Sequence, residues 1–311
     1  MLVDTLQDFA KQLCERRPVI ASDSPVLRLL TLLIERFELQ PAFSRREIKR
    51  IFTERPMEAC AASLYVLNAT PPSIAIAFLG DLLVVDGHLI QFLANPDWCT
   101  DAEAVDLASR LVAVEQRLQS KLAGHITRDT DVPALSRVLL VLEKTTDPAK
   151  ALSKLIPLLG HPNPRVRSKT VELVGRGLPE GDWWGSALAD GDSRVRANAV
   201  EALWGLNSDA ARAALERASQ DENHRVAVNA LVGLHRAGVE SAAERLRNLT
   251  GHHAELVRAA AAWGIGVIED EESIERLQGL RRDSAEIVRR NALRALVRIR
   301  KVQTATAEVS Q

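Results

Sequence analysis

Cysteine is scarce. Cys14, Cys60 and Cys99 are widely spaced and odd in number among 311 residues, with no Cys-x-x-Cys pair, so a disulfide framework is excluded and a reducing, cytoplasmic setting is expected. An excess of one charge is also missing, with 40 Lys+Arg against 41 Asp+Glu, which argues against a uniformly basic nucleic-acid binder. Residues 1–17 carry Asp4 and Asp8 where a signal peptide has positive charge. Leu2, Leu6, Phe9 and Leu13 instead fall on one face of a helix. The uncharged run from Ala59 to Gly80 is broken by Asn68, Thr70 and Pro71-Pro72, which makes it two buried helices joined by a turn, not a membrane span. Alternating strand patterns and Asn-Gly hairpin signals are absent, as are a P-loop, an HExxH motif and a GxSxG elbow. What remains is a chain 46% hydrophobic and 26% charged, a balance suited to a folded protein and unsuited to long disorder.

The chain repeats itself. Five segments, PNPRVRSKTVELV, GDSRVRANAVEAL, ENHRVAVNALVGL, HAELVRAAAAWGI and SAEIVRRNALRAL, align on Val166, Val195, Val226, Val257 and Val288, at intervals of 29, 31, 31 and 31 residues. A further unit is traceable at Leu135. Four positions after the valine stand Thr170, Ala199, Ala230, Ala261 and Ala292, small enough for close helix contact. Five and eight positions after it the side chains are mostly aliphatic, as in Val200, Leu203, Leu231, Leu234, Leu293 and Leu296. Offsets of 0, 4, 5 and 8 trace a helix buried on one side. Between units lie second amphipathic stretches, SDAARAALERAS, VESAAERLRNL and EESIERLQGLRR. Each unit is therefore a helix pair that completes its core only by stacking on its neighbours.

The loop before each valine has its own pattern. Five positions upstream are His161, Asp190, Asp221, His252 and Asp283; three upstream are Asn163, Asp192, Asn223, Ala254 and Ala285. Short Asp and Asn side chains cap the free amides of a helix start. One position after the valine comes Arg167, Arg196, Arg258 or Arg289, with Ala227 the exception. The expectation is a structural ladder in which Asp190, Asp221 and Asp283 bridge to arginines of the same or the neighbouring unit.

The motif D-x-(D/N)-x-x-V-R-x-x-A-x-x-(A/G)-L, best seen from Asp190 to Leu203 and from Asp221 to Leu234, resembles the HEAT repeat, in the short bacterial form found in phycobilin-lyase-like proteins. The resemblance implies an all-α fold, an α-solenoid of antiparallel helix pairs. It also implies a concave face lined by the second helix of each pair, with an Asp/Arg ladder tying the units. It covers about 130–301 and is nearly silent on function, because such arrays serve as scaffolds, adaptors, lyases and a few enzymes.

Upstream, helical patterns run at about 2–17, 25–39, 44–54, 56–69, 73–95, 101–123 and 132–144, with capping-box forms at Ser44–Glu47 and Thr100–Glu103. Residues 1–128 read as a divergent helical segment capping the array, 129–301 as the array, and 302–311 as a frayed tail. No Pro/Gly/Ser-rich linker separates the halves, so one continuous helical array is preferred to two tethered domains.

Signals for chemistry are weak. Gly175-Arg176-Gly177 resembles the start of a dinucleotide motif but ends a helix with no preceding strand. His252-His253 with Glu255 suggests a metal, yet adjacent side chains do not share a helix face and His252 holds the loop column of the aspartates. The HEAT-type deoxyhypusine hydroxylases require His-Glu pairs, and the sequence contains none. No cofactor or metal is expected.

Offsets 3, 6 and 10 sketch the concave face. Lys169, Glu172, Arg176, Asn198, Glu201, Asn229, Arg236, Trp263, Asn291, Arg294 and Arg298 make it mixed at one end, neutral in the middle and basic at the other. Trp204 and His235 share the ninth position of adjacent units. The reading is a non-enzymatic scaffold or adaptor that grips an acidic or helical partner protein through Asn198, Glu201, Trp204, Asn229, His235, Trp263, Arg294 and Arg298. The alternatives are nucleic-acid binding, or a glycosylase activity of HEAT-like type, through the arginine-rich C-terminal end, where Arg281, Arg282, Arg289, Arg290, Arg300 and Lys301 lie near the acidic turn Glu269–Glu272. A bilin-lyase-like, chromophore-handling role is a third.

Overall fold

The computed structural model describes residues 24–35, 39–55, 58–59, 62–63, 65–66, 102, 106, 109, 116–127, 129–144 and 148–309. Cys14, Cys60 and Cys99, most of the expected helix 56–69, the helices expected at 2–17 and 73–95 and the Thr100 capping box lie outside them. Among the described residues the regular structure is helical throughout. None of these helices is long and apolar enough to cross a membrane. Packing divides the chain after Val166 into two compact units, Met1–Val166 and Arg167–Gln311. This division falls inside a helix, 38 residues after the start of the array expected at 129.

In the first unit, α1 (Pro25–Glu35) packs on α2 (Pro41–Glu54). Leu27, Leu30 and Ile34 of α1, with Ile48, Ile51 and Phe52 of α2, are buried at helical spacing. The start of α2 departs from expectation. Ser44 is not its cap but a buried residue one turn inside, because Pro41 occupies the first turn and presets its φ for the helix. Next come α3 (Gln116–Gly124), α4 (Val132–Glu143), which contains buried Leu135, and the short α5 (Leu152–Leu155).

The second unit follows the predicted array. Here α6 (Pro164–Gly177) leads into four helix pairs. They are α7 (Trp183–Leu188) with α8 (Ser193–Ala202), α9 (Asp209–Ala218) with α10 (His224–Arg236), α11 (Ser241–Leu249) with α12 (Glu255–Val267), and α13 (Ile274–Leu280) with α14 (Glu286–Val309). Helices α8, α10, α12 and α14 pack in sequence on one another, while α9, α11 and α13 flank them. This is an all-α solenoid.

Its core is the set of columns read from the sequence. Val195, Val226 and Val288, the small residues Ala199, Ala230, Ala261 and Ala292, and Val200, Leu203, Leu231, Leu234 and Leu296 are all buried. Burying each large aliphatic side chain contributes about 1.5–3 kcal/mol. Glycine appears where helix axes come closest. A Cβ on Gly266 of α12 would lie 2.7 Å from both Cα and Cβ of Ala295 on α14, and one on Gly175 would lie 2.5 Å from Cβ of Ala202. Gly177 does end α6, but Gly175 is within it and serves this close approach. The tail expected to fray after Lys301 is helical to Val309, as a continuation of α14.

Candidate functional site: the row of inner helices

The loop columns fold as a set of identical turns. Asp190, Asp221 and Asp283 each accept the backbone N–H two residues on, at 2.8–2.9 Å. His161 and His252 do the same with Nδ1, at 3.0 and 3.1 Å. Asn163, Asp192 and Asn223 cap the following helices by accepting the amides of Arg165, Arg194 and Arg225. Histidine thus replaces aspartate in the turn, and the ring nitrogen engaged there is withdrawn from metal ligation. Among the described residues no group of three His, Cys, Asp or Glu side chains is placed to hold a metal.

Arg196 and Arg258 each serve two units. Arg196 Nη1 donates to the Asp190 and Gly191 carbonyls of its own loop, while Nε and Nη2 grip Asp221 of the next loop at 2.8 and 2.9 Å. Arg258 repeats this with the His252 and His253 carbonyls and with Asp283. Arg167 grips Asp190 at 2.7 and 2.8 Å. These bidentate contacts lower the acids' pKa values. The Arg258 hydrogen bonds bring Asp283 to about 2. The Arg194 bond to the cap residue brings Asp192 to about 2. Asp190 is lowered chiefly by Arg167. At Asp221 burial pushes upward, and Arg196 together with the Asn223 amide outweighs it. The rung between α10 and the loop before α12 is missing on both sides, with Ala227 in place of arginine and His252 in place of aspartate. At Arg289 the Nη1 contacts to Asp283 and Ser284 carbonyls persist, and among the described residues no acid meets the other edge.

A parallel set of ion pairs on the outer helices was not foreseen. Arg247 of α11 grips Asp270 at 2.6 and 2.8 Å and reaches Glu272 at 2.7 Å, and Arg245 meets Glu216 of α9 at 2.9 Å. The signal was present, since Arg247 and Asp270 are 23 residues apart, as are Arg167 and Asp190. Part of the acidic turn is thereby committed to α11. Glu269, in the left-handed region at φ 57°, lies 3.4 Å from Arg298.

Along the first turns of α10, α12 and α14 runs a cavity of about 290 Å³. Its apolar lining includes Val228, Ala259, Ala260 and Ile287, with Trp263 and Leu256 left 39% and 46% exposed. Its polar lining includes Glu201, Arg225, Asn229 and Asn291. Glu201 accepts from Asn229 Nδ2 at 2.6 Å and meets Arg225 at 3.5 Å. Turning the Asn229 amide over would set oxygen against carboxylate, so its Oδ1 faces away, buried and without a hydrogen-bond partner. Such an acceptor costs about 1–3 kcal/mol until a donor reaches it. A second cavity of about 370 Å³ is lined by Glu172, Arg176, Asn198, Glu201, Trp204 and Leu206 among others.

Of the residues singled out in the sequence, Glu201, Asn229 and Trp263 share the first cavity, and Asn198, Glu201 and Trp204 the second. Arg294, Arg298 and His235 line neither. Asn198 and Asn291 donate to the carbonyls of Ser168 and Ala259, so they pin each inner helix to its predecessor. Trp204 donates its ring N–H to the Asn229 carbonyl at 2.9 Å, and the Arg236 guanidinium stacks 4.6 Å above its ring. Leu256 and Ile287 were missed because the face was drawn from offsets 3, 6 and 10. They stand immediately before the valine, where the three earlier units carry Arg165, Arg194 and Arg225. Two aliphatic residues in an arginine column were the legible clue.

The family model for HEAT repeats matches residues 181–265 and 247–307. Comparison with curated proteins found no match. Solved structures that match include an engineered protein, 17% identical, covering 91% of this chain and 87% of that chain, with a TM-score of 0.35. Human deoxyhypusine hydroxylase in complex with glycerol is 18% identical, with coverages of 85% and 99% and a TM-score of 0.33. A designed armadillo repeat protein in complex with the peptide (KR)4 is 16% identical, with coverages of 89% and 100% and a TM-score of 0.25.

Proposed function

We propose that this chain, a HEAT-repeat protein over residues 181–307, is a non-enzymatic scaffold that holds a segment of a partner protein in the cavity along α10, α12 and α14. One observation carries the reading: exposed Trp263 and Leu256 flank a cavity whose polar lining includes Glu201, Arg225 and Asn291. An apolar side chain of the partner covers the tryptophan, and an adjacent acceptor of the partner meets the exposed Arg225 guanidinium at the rim. Anchors of this kind, an aromatic ring beside a specific polar contact, dominate binding energy at interfaces. The carboxylate at hand, Glu201, is already engaged by Asn229 and Arg225.

Selection of a displayed random-peptide library on the full chain tests the proposal. Enriched sequences with a recurrent large apolar residue are expected, and their binding falls about tenfold or more in Trp263→Ala, since burial of one large side chain contributes at least about 1.5 kcal/mol. The exposed outer-helix variant Arg212→Ala serves as control and retains binding. Enrichment that ignores Trp263, or no enrichment, refutes the assignment. The nucleic-acid alternative makes a separate demand: an oligonucleotide must bind at low salt and be released steeply as salt rises.

A further inference from the structure

One face of α14 differs from the matching face of the inner helices before it. Offset 5 is buried in the four units that precede α14, at Val171, Val200, Leu231 and Ala262, because the next inner helix covers it. In α14 the same column holds Leu293, 48% exposed, and one turn further Val297 is 55% exposed. On the same helix Arg289 keeps its Nη1 bonds to its own loop, so its Nε–Nη2 edge stands where Arg258 presents the identical edge to Asp283. Apolar stripe and open guanidinium fork lie one turn apart in the geometry that, elsewhere in the array, receives a helix pair with an aspartate in its loop.

We infer that this face of α14 docks a helical hairpin of an acidic partner, whose loop carboxylate fills the Arg289 fork and whose apolar stripe covers Leu293 and Val297. Charge selects against a second copy. Two α14 helices packed antiparallel about Leu293 and Val297 would set Arg290 opposite Arg300 and Arg289 opposite Lys301, like charges at each end of the contact. An acidic hairpin turns the same four cations, three of them exposed and Arg289 half-buried, into attraction and steering.

The test uses the full chain and a synthetic helical hairpin with aspartate in its loop, a leucine stripe and glutamates beside the stripe, read by fluorescence anisotropy. Saturable binding is expected, weakened about tenfold or more by Val297→Asp, a change at an exposed site that leaves folding intact. Arg289→Lys, which keeps the charge but loses the bidentate fork, weakens binding by a smaller factor of about three or more. A hairpin with serine in place of the leucines must bind more weakly than the parent. Equal binding of the serine hairpin reduces the contact to unspecific charge and overturns the proposal. So does binding indifferent to Val297→Asp, or no binding. Concentration-dependent dimerisation abolished by Val297→Asp would assign the face to self-association and overturn it equally.

Discussion

The strength of the ladder is measurable at the rung between α8 and α10. Arg196 makes two charge-assisted bonds to Asp221 at 2.8 and 2.9 Å, with the two side chains 12% and 14% exposed, so neither solvent nor salt screens them fully. Asp221→Ala removes both bonds and the acceptor for the Asn223 amide. It also leaves a half-buried guanidinium with Glu222, 3.7 Å away, as substitute partner. Charged hydrogen bonds contribute about 1.5–3 kcal/mol each before such compensation, so a net loss of about 2–3 kcal/mol is expected. Arg196→Ala should cost a similar amount, because it strips the fork and the caps on the Asp190 and Gly191 carbonyls. The double variant should fall short of the sum by a coupling of about 1–2 kcal/mol. Urea titration followed by circular dichroism reads all three, with thermal midpoints dropping roughly 4 °C per kcal/mol in a unit of this size. A coupling below about 0.5 kcal/mol, the value of an exposed surface pair, would refute the claim that the ladder ties the repeats.

Other outcomes follow from the same geometry. Introducing Ala227→Arg with His252→Asp should complete the missing rung and raise stability by about 1 kcal/mol, whereas Ala227→Arg alone should not; equal urea midpoints for single and double variants would contradict this. The ladder acids Asp190, Asp221 and Asp283 and the cap Asp192 have folded pKa values below their unfolded ones, Asp192 and Asp283 at about 2. Their contribution is therefore complete above about pH 4 and lost as pH falls towards about 2, while the arginines stay charged. The urea midpoint should decline over that interval, and a flat profile would count against the pairing. Gly266→Ala should destabilise by about 1–3 kcal/mol, since the new methyl meets the Ala295 backbone, with the loss read as a lower thermal midpoint.

The array was readable from sequence because stacking imposes the same requirement every 31 residues. Val195 and Val226, Ala199 and Ala230, and Asp190 and Asp221 answer identical neighbours, so their chemistry recurs. The ladder was legible for the same reason, down to its exception at Ala227. What escaped had no period. The start of α2 was set by Pro41 against the competing signal of Ser44. The cavity depends on Leu256 and Ile287, which belong to a column whose other members are arginines, and only the packing of α10, α12 and α14 gives it a shape. Leu293 reads as core by its column, and it is exposed because no described residue stacks upon it.

The missing rung bears on how the array bends. Helical repeats behave as a one-dimensional series of coupled units, and such a series yields first where coupling between neighbours is least. On the loop side of the inner row, that place is the joint of α10 with α12, where Ala227 and His252 exchange no ion pair. The outer row holds the same joint through Glu216 and Arg245. One edge is strapped and the other is not, which makes the joint a leaf spring with its stiff side outward. The cavity with Trp263 spans this joint, so widening its walls between α10 and α12 meets no loop-side ion pair among the described residues. Elsewhere along the ladder the same widening would have to tear a carboxylate from an arginine.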